Sequence, residues 1–250
     1  MKKAPYLLYA VICYLIFFVT FLYLVGFVSN LLVPKSIDTV SGQEPASLYV
    51  RVLIDLGLMS LFAIQHSVMA RQGFKRKWTR IVPEPIERST YVLFASAAVI
   101  ILLFFWQPLP YTIWDMAGTT GGYILLGVAF LGWGIVLLST FLLNHFHLFG
   151  LHQVYDYATN KEQPTLRFRT PFLYKMVRHP LYLGFLIAFW SAPVMTAGHL
   201  LFSLGMTFYI FIGIYHEEKN LEKLYGSDYQ QYRQKTPRIL PFGKSKAPVN

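Results

Sequence analysis

The chain has 250 residues, of which 55% are hydrophobic and only 14% charged. Soluble domains carry about 25% charged residues, so this composition argues for a chain that lives in lipid. The net charge of +10 forms no basic stripe interleaved with exposed aromatics and separate from the ends of apolar runs, which excludes nucleic acid as a partner.

Taken in order, Tyr6–Val33 is uncharged over 28 residues and long enough to span a bilayer. Met1-Lys2-Lys3 ahead of it has the form of a signal peptide, but the apolar run exceeds an h-region and no small-x-small cleavage site follows. A retained first helix is expected. The single cysteine, Cys13, lies inside it, so no internal disulfide is expected and the thiol reads as buried and inert. Pro34–Leu48, with Ser36, Asp38, Ser41-Gly42 and Pro45, is loop chemistry.

Val52–Ala70 is a second span between Arg51 and Arg71. Its polar insertions are Asp55, Gln65 and His66. Gln65 and His66 read as a satisfied polar pair facing the bundle, with lining of a channel as the alternative, and Asp55 leaves the same choice. Ser89–Trp106 and Tyr123–Leu143 are the third and fourth spans. Gly127, Gly132 and Gly134, with Ala129, permit close helix approach in the fourth. Trp78, Trp106, Trp114 and Trp190 fall near predicted helix ends, where interfacial aromatics are expected without a catalytic role.

From His179 to His216 there are 38 residues without Lys, Arg, Asp or Glu. One straight helix of that length is nearly twice a bilayer core. Pro193 and Ala197-Gly198 interrupt the run, so it predicts two helices of about 18 residues folded into a hairpin. A hairpin returns its ends to one face, placing Arg178 and His179 beside Glu217 and Glu218. Pro180 at the first helical position exposes free N–H groups, and Gly184 lets a backbone or a ligand approach closely. Opposed charges gathered at a membrane surface point to a polar, zwitterionic ligand.

Pro164, Thr170-Pro171 and Pro180 keep Phe149–Arg178 from being one helix. In the tail, Tyr225, Tyr229 and Tyr232 join Leu221 and Leu224 on one apolar helix face. That face either lies against the Phe149–Arg178 loop or rests on the bilayer. Met1–Pro5, Arg71–Arg88, Phe149–Arg178 and Glu217–Asn250 hold 20 of the 22 Lys and Arg residues. The positive-inside rule places them, and both termini, in the cytoplasm, with attraction to anionic membrane lipid as a further consequence. The expected fold is therefore an all-α polytopic membrane helix bundle of about six transmembrane helices. It forms one domain, with 1–143 a four-span scaffold and 144–250 the binding and catalytic region.

Arg178-His179-Pro180-Leu181-Tyr182-Leu183-Gly184, an apolar stretch, then Glu217-Glu218, resembles the S-adenosylmethionine-binding region of a family of integral membrane methyltransferases. These are the enzymes related to isoprenylcysteine carboxyl methyltransferase and phospholipid methyltransferases. Leu221, Leu224, Gly226, Tyr229, Tyr232, Pro237 and Pro241 continue the likeness. Within that group, Asn144-His145-Phe146-His147-Leu148-Phe149-Gly150-Leu151-His152-Gln153-Val154 and Phe168-Arg169-Thr170-Pro171 are most similar to the bacterial methanethiol S-methyltransferases, which more often carry Asp and Arg at positions 147 and 152. The strong likeness covers roughly residues 140–242.

The resemblance implies methylation of a small lipophilic thiol, most specifically methanethiol to dimethyl sulfide, in a bacterial inner membrane. S-adenosylmethionine would be held by Arg178, His179, Pro180, Tyr182, Gly184, Glu217, Glu218 and His152, with S-adenosylhomocysteine as product. A carboxylate suits the ligand's ammonium or ribose hydroxyls, Arg178 its carboxylate, and aromatic faces its sulfonium or adenine. His145, with Asn144 beside it, is the candidate base or thiol-orienting group, and a structural cap at the end of the fourth span is the competing reading for both. Alternatives are methylation of an isoprenylcysteine carboxylate or lipid amine by the same fold, or a non-catalytic NnrU-like membrane protein. No metal is expected: His145, His147, His152 and His179 cluster near one face without an H-x-x-H-H box. No G-x-G-x-x-G loop supports a Rossmann-type domain.

Overall fold

The computed structural model describes residues 3–40, 46–161 and 168–241. The Ser41-Gly42 and Pro45 loop positions, the Pro164 break and the last residues of the tail lie outside them. Among these described residues, five helices are long and apolar enough to cross a membrane: α1 (Lys3–Ser29), α2 (Leu48–Met69), α4 (Glu84–Phe105), α5 (Thr120–Leu142) and α10 (Ala197–Tyr225). Between them lie α3 (Gln72–Trp78), strand β1 (Thr112–Asp115), α6 (His145–Leu148), α7 (Leu151–Thr159), α8 (Leu173–Met176), α9 (Pro180–Trp190) and strand β2 (Val194–Thr196). A final helix, α11 (Ser227–Lys235), follows α10. The chain is an all-α polytopic membrane bundle, with one two-stranded ribbon that the apolar pattern does not announce.

That ribbon changes the hairpin. Its first arm, α9, has 11 residues rather than about 18 and rises about 16 Å, half a bilayer core. The helix ends at Ser191, ahead of Pro193, and the chain continues as β2, antiparallel to β1. Non-helical backbone at membrane depth survives only where protein satisfies its polar groups. Here Met116 N–H donates to Pro193 O, Ala197 N–H to Tyr111 O, Gly198 N–H to Leu109 O, and the Trp114 indole to Ala192 O. Trp114, expected only as an interfacial anchor, thus also ties the loop ahead of α5 to the end of α9.

The two hairpin arms differ in what fixes them. A Cβ on Gly132 would meet Ala188 N at 2.6 Å and Gly184 O at 2.7 Å; one on Gly184 would meet Gly132 O at 2.7 Å and Val136 N at 2.8 Å. Helices α5 and α9 are therefore antiparallel and in backbone contact, the small-residue packing expected of membrane helices. Gly127 and Gly134 face open space instead. Around this pair, Phe27, Trp106, Phe189 and Phe202 are buried and meet edge to face, a favourable aromatic geometry.

At one end of the bundle, Asp55 accepts from Gln107 N–H at 2.8 Å and Arg51 donates to Pro108 O at 2.7 Å. Asp55 thus pins the turn after α4. At the other end, Lys3 reaches Asn160, Arg88 reaches Leu148 O and Ser89 reaches Gly150 O. This is the end at which the basic segments gather. Gln65 and His66 are not a pair: Gln65 Nε2 lies against Met69 Sδ, while His66 faces the Tyr91 hydroxyl.

Candidate active site

Pro180 is at the first turn of α9 with His179 as its N-cap, so the residues just before it are extended rather than helical. That extended pair is claimed by the tail: Arg178 N–H donates to Pro237 O at 2.9 Å and His179 N–H to Arg238 O at 3.1 Å. Helix α10 runs on two turns past the apolar stretch and brings Glu217 and Glu218 to the same place.

Glu218 is the hub. Its Oε1 accepts from Arg178 Nε at 2.8 Å, and Arg178 Nη2 lies 2.7 Å from the same oxygen. His179 Nε2 is 3.2 Å from Oε1, and Arg238 Nη2 donates to Oε2 at 3.0 Å. Arg178 Nη1 also donates to Arg233 O and Thr236 O. The Arg178 and Glu218 side chains are each only 6% exposed. A buried carboxylate needs such matched donors to stay charged. Arg178 thus has four of its five N–H groups committed to holding the tail, so in this arrangement it is a clamp rather than a free partner for a ligand carboxylate. Glu217 differs: its side chain is 42% exposed, with His179 Nδ1 at 3.7 Å. The Tyr182 hydroxyl hydrogen-bonds the same carboxylate. Tyr182 sits one turn into α9, its ring 5.7 Å from His179 and its hydroxyl against Gly213, one turn before Glu217.

The tail forms the roof. The helix expected to carry Tyr225 through Tyr232 on one face breaks at Gly226, whose φ of +52° is a left-handed-side conformation that glycine tolerates. Leu224 is exposed as a result. Phe168 packs on Tyr225, Tyr229 and Tyr232 with centroids 5.1, 5.9 and 5.4 Å away, and Tyr232 donates to Tyr174 O. The tail therefore lies against the loop. Tyr229 is 1% exposed and its hydroxyl has no hydrogen-bond partner among the described residues. Burial pushes that phenol above its ordinary range, with Glu218 adding to the rise, so it stays an O–H.

Other expected site residues have different surroundings. Gly184 faces the α5 backbone, so of the two approaches foreseen for it the structure shows the backbone one. Asn144, in the left-handed region at φ +75°, caps α6 by accepting from His147 N–H. His145 is buried; its Nδ1 is 2.8 Å from Thr140 Oγ and its Nε2 2.9 Å from Tyr14 Oη. Thr140 spends its proton on Leu137 O, so Nδ1 donates to Thr140 and Nε2 accepts from Tyr14. Both nitrogens are engaged, and the ring stacks on Phe141 at 4.3 Å. Burial lowers its pKa, keeping it neutral. His152 pairs with Asp156 at 3.0 Å on α7, which packs on α1 and α4; the Arg178–Glu218 cluster does not include it. Among the described residues no group of three or more His, Cys, Asp or Glu is placed to hold a metal.

Sequence reasoning passed over Arg238, whose position in the basic tail looked like topology charge, and Arg88 with Tyr91, which it assigned to a span boundary. An Arg beside a Pro that ends the tail was the only available signal for the first.

No protein-family model matches the chain, and no solved structure matches it. Curated relatives do. Methanethiol S-methyltransferase 1 of Bradyrhizobium diazoefficiens is 54% identical over 238 residues, covering 95% of this chain and 82% of that protein. Methanethiol S-methyltransferase of Crocosphaera subtropica is 50% identical over 94% of this chain and 91% of its own length. That of Mycobacterium tuberculosis is 46% identical over 97% and 98%. Identity at this level over nearly the whole chain means that it belongs to the methanethiol S-methyltransferases, a family of methyltransferase enzymes.

Proposed function

We propose that this enzyme methylates methanethiol to dimethyl sulfide with S-adenosylmethionine as donor, at the cytoplasmic face of a bacterial inner membrane with both termini inside. The observation that carries the reading is the closing of the α9–α10 hairpin, which joins the Arg-His-Pro and Glu-Glu halves into one site under an aromatic roof. The relatives' names supply the acceptor. The chain acts as one domain, in which residues 1–143 serve mainly as scaffold and 144–250 hold the donor.

The residues present fit the donor. The exposed Glu217 carboxylate suits an ammonium or a ribose diol, the Tyr229 hydroxyl, without a partner among the described residues, offers a buried hydrogen bond, and Tyr182 with the Phe168 cluster offers aromatic faces. His179, held between both glutamates, orients Glu217. Arg178 and Glu218 fasten the tail over this pocket. S-adenosylmethionine, when bound, supplies an electrophilic methyl on a cationic sulfur. The protein's task is then to orient the thiol in line with that methyl and exclude water. Because an anion and a cation become two neutral thioethers, a site of low dielectric favours the reaction. His145, with both nitrogens occupied, holds α1 to α6 and orients this end of the bundle.

Purified protein given methanethiol and S-adenosylmethionine is expected to release dimethyl sulfide, measured by headspace gas chromatography, with turnover falling as the thiol's alkyl chain lengthens. No dimethyl sulfide, or a preference for farnesylated cysteine, overturns the assignment of the acceptor.

A further inference from the structure

Beside the donor site, and at the same end of the bundle, lies a second group of polar side chains that nothing above employs. The Tyr91 hydroxyl of α4 stands 3.1 and 3.0 Å from the two ring nitrogens of His66 on α2. The Arg88 guanidinium lies over the Tyr91 ring at 4.9 Å. Ser67 on α2 is 3.3 Å from the Tyr209 hydroxyl on α10, and Phe62 packs against both His66 and Tyr209. Tyr182 connects the groups: it is within electrostatic reach of Glu217 on one side and of Tyr209 and Tyr91 on the other.

Arg88 is the unusual member. Its Nε donates to Leu148 O, yet its two terminal nitrogens have no hydrogen-bond partner and no carboxylate within 4 Å among the described residues. The neighbouring Glu87 is taken by Lys75. A guanidinium at the mouth of a span, whose acidic neighbour Glu87 is shared with Lys75, is costly to leave uncompensated and favours an anion. A void beside Val28, Ala188 and His199 is about 10 Å³. It has room for one water and sits toward the opposite end of α9.

We propose that methanethiol binds as its thiolate between α2, α4 and α10, with the sulfur on the terminal nitrogens of Arg88 and its proton passed through the Tyr91 hydroxyl to water. This rests on the reaction proposed above and names its acceptor site. In the first step the S–H bond breaks, the proton moves to the Tyr91 oxygen, and the Tyr91 proton moves to a water molecule. The thiolate sulfur then forms a bond to the donor methyl carbon as the methyl–sulfonium bond breaks, its electron pair staying on the departing sulfur. Two neutral thioethers result, the thiol proton having left to water in the first step. Arg88 is the anion-holding residue and Tyr91 the relay. Besides these, the titratable groups facing Arg88 are Glu87 on α4, His147 on α6 and, across them, Lys75 on α3.

The test uses ¹³C-labelled methanethiol with full-length protein saturated with S-adenosylhomocysteine, following the bound methyl resonance against pH. In the wild type the bound thiol is expected to ionise at lower pH than the free thiol in the same buffer. Arg88→Gln is expected to abolish that shift and raise KM for methanethiol about tenfold or more, while S-adenosylhomocysteine affinity stays within twofold. Tyr91→Phe is expected to keep the ionised resonance at high pH while lowering kcat. Arg88→Lys retains charge and recovers part of the binding, which guards against a folding failure in the glutamine variant. An unshifted wild-type resonance, or an Arg88→Gln protein that ionises its thiol as the wild type does, overturns the acceptor site and leaves the donor site and reaction standing. Wild-type protein that forms no dimethyl sulfide overturns both.

Discussion

Two adjacent glutamates are predicted to fail in different ways when altered. Glu218 is 6% exposed at its side chain and receives two contacts from Arg178, one from His179 and one from Arg238. Truncating one partner of a buried pair costs about 3–5 kcal/mol, because it strands the other charge. In Glu218→Ala that charge is Arg178, whose remaining bonds go to tail carbonyls. Undocking of the tail should become easier by roughly two to more than three orders of magnitude, at about 1.4 kcal/mol per tenfold. Limited trypsinolysis reads this directly, since cleavage after Arg233 and Lys235 follows the open population when reclosing is fast. Glu217 is 42% exposed, with His179 Nδ1 at 3.7 Å and the Tyr182 hydroxyl as a hydrogen-bonding neighbour, so Glu217→Gln should leave tail cleavage unchanged. It should instead weaken S-adenosylmethionine binding by about 10- to 100-fold, the loss of one charge-assisted hydrogen bond of roughly 1.5–3 kcal/mol. Calorimetry on purified protein measures it. Equal donor affinity in Glu217→Gln, or equal cleavage in Glu218→Ala, refutes this division of roles.

Gly184→Val would drive a side chain into Gly132 O, 2.7 Å from its Cβ; an overpacking cost of about 1–3 kcal/mol should lower the thermal midpoint in detergent, whereas Gly127→Ala, facing open space, should not. Burial lowers the His145 pKa, so its folded form binds fewer protons than the unfolded chain. Its stabilisation is full above about pH 6.5 and declines as pH falls below that value toward the folded pKa; a pH series of thermal midpoints should slope less in His145→Phe. Reporter fusions to the C-terminus should behave as cytoplasmic; activity only on export would reverse the bundle and remove the site from the donor's compartment.

The motif and the hairpin were legible because charge is scarce in this chain. A 38-residue uncharged run ending in Arg-His-Pro at one side and Glu-Glu at the other can hardly fold without bringing them together. What each residue does there was not legible, since exposure decides it. Arg178, His179, Glu217 and Glu218 looked alike as ligand groups, yet packing buries Arg178 and Glu218 against the tail and leaves Glu217 partly open. The short first arm was also hidden, because apolar β2 has the same hydropathy as a helix and its partner β1 lies 79 residues upstream of Pro193 at Trp114. Arg88 and Tyr91 read as the edge of a span, and only the fold turns them toward His66.

The site's two sides are held by unlike forces. On the helix side, α9 rests on α5 through backbone contacts at Gly132 and Gly184, so the depth of His179 is set by a packed interface with little freedom to adjust. On the tail side, residues 237–238 are held by two backbone hydrogen bonds, the Glu218 ion cluster and the ring of aromatics about Phe168. Fewer buried contacts there make the tail the part that opens at lowest cost, while α9, α10 and the Arg88 group stay in register. On the reaction proposed above, a donor with a large polar nucleoside and a thiol that partitions into lipid would need no common entrance. The donor would enter where the tail lifts and the thiol through the apolar side of the bundle, the two meeting across Tyr182.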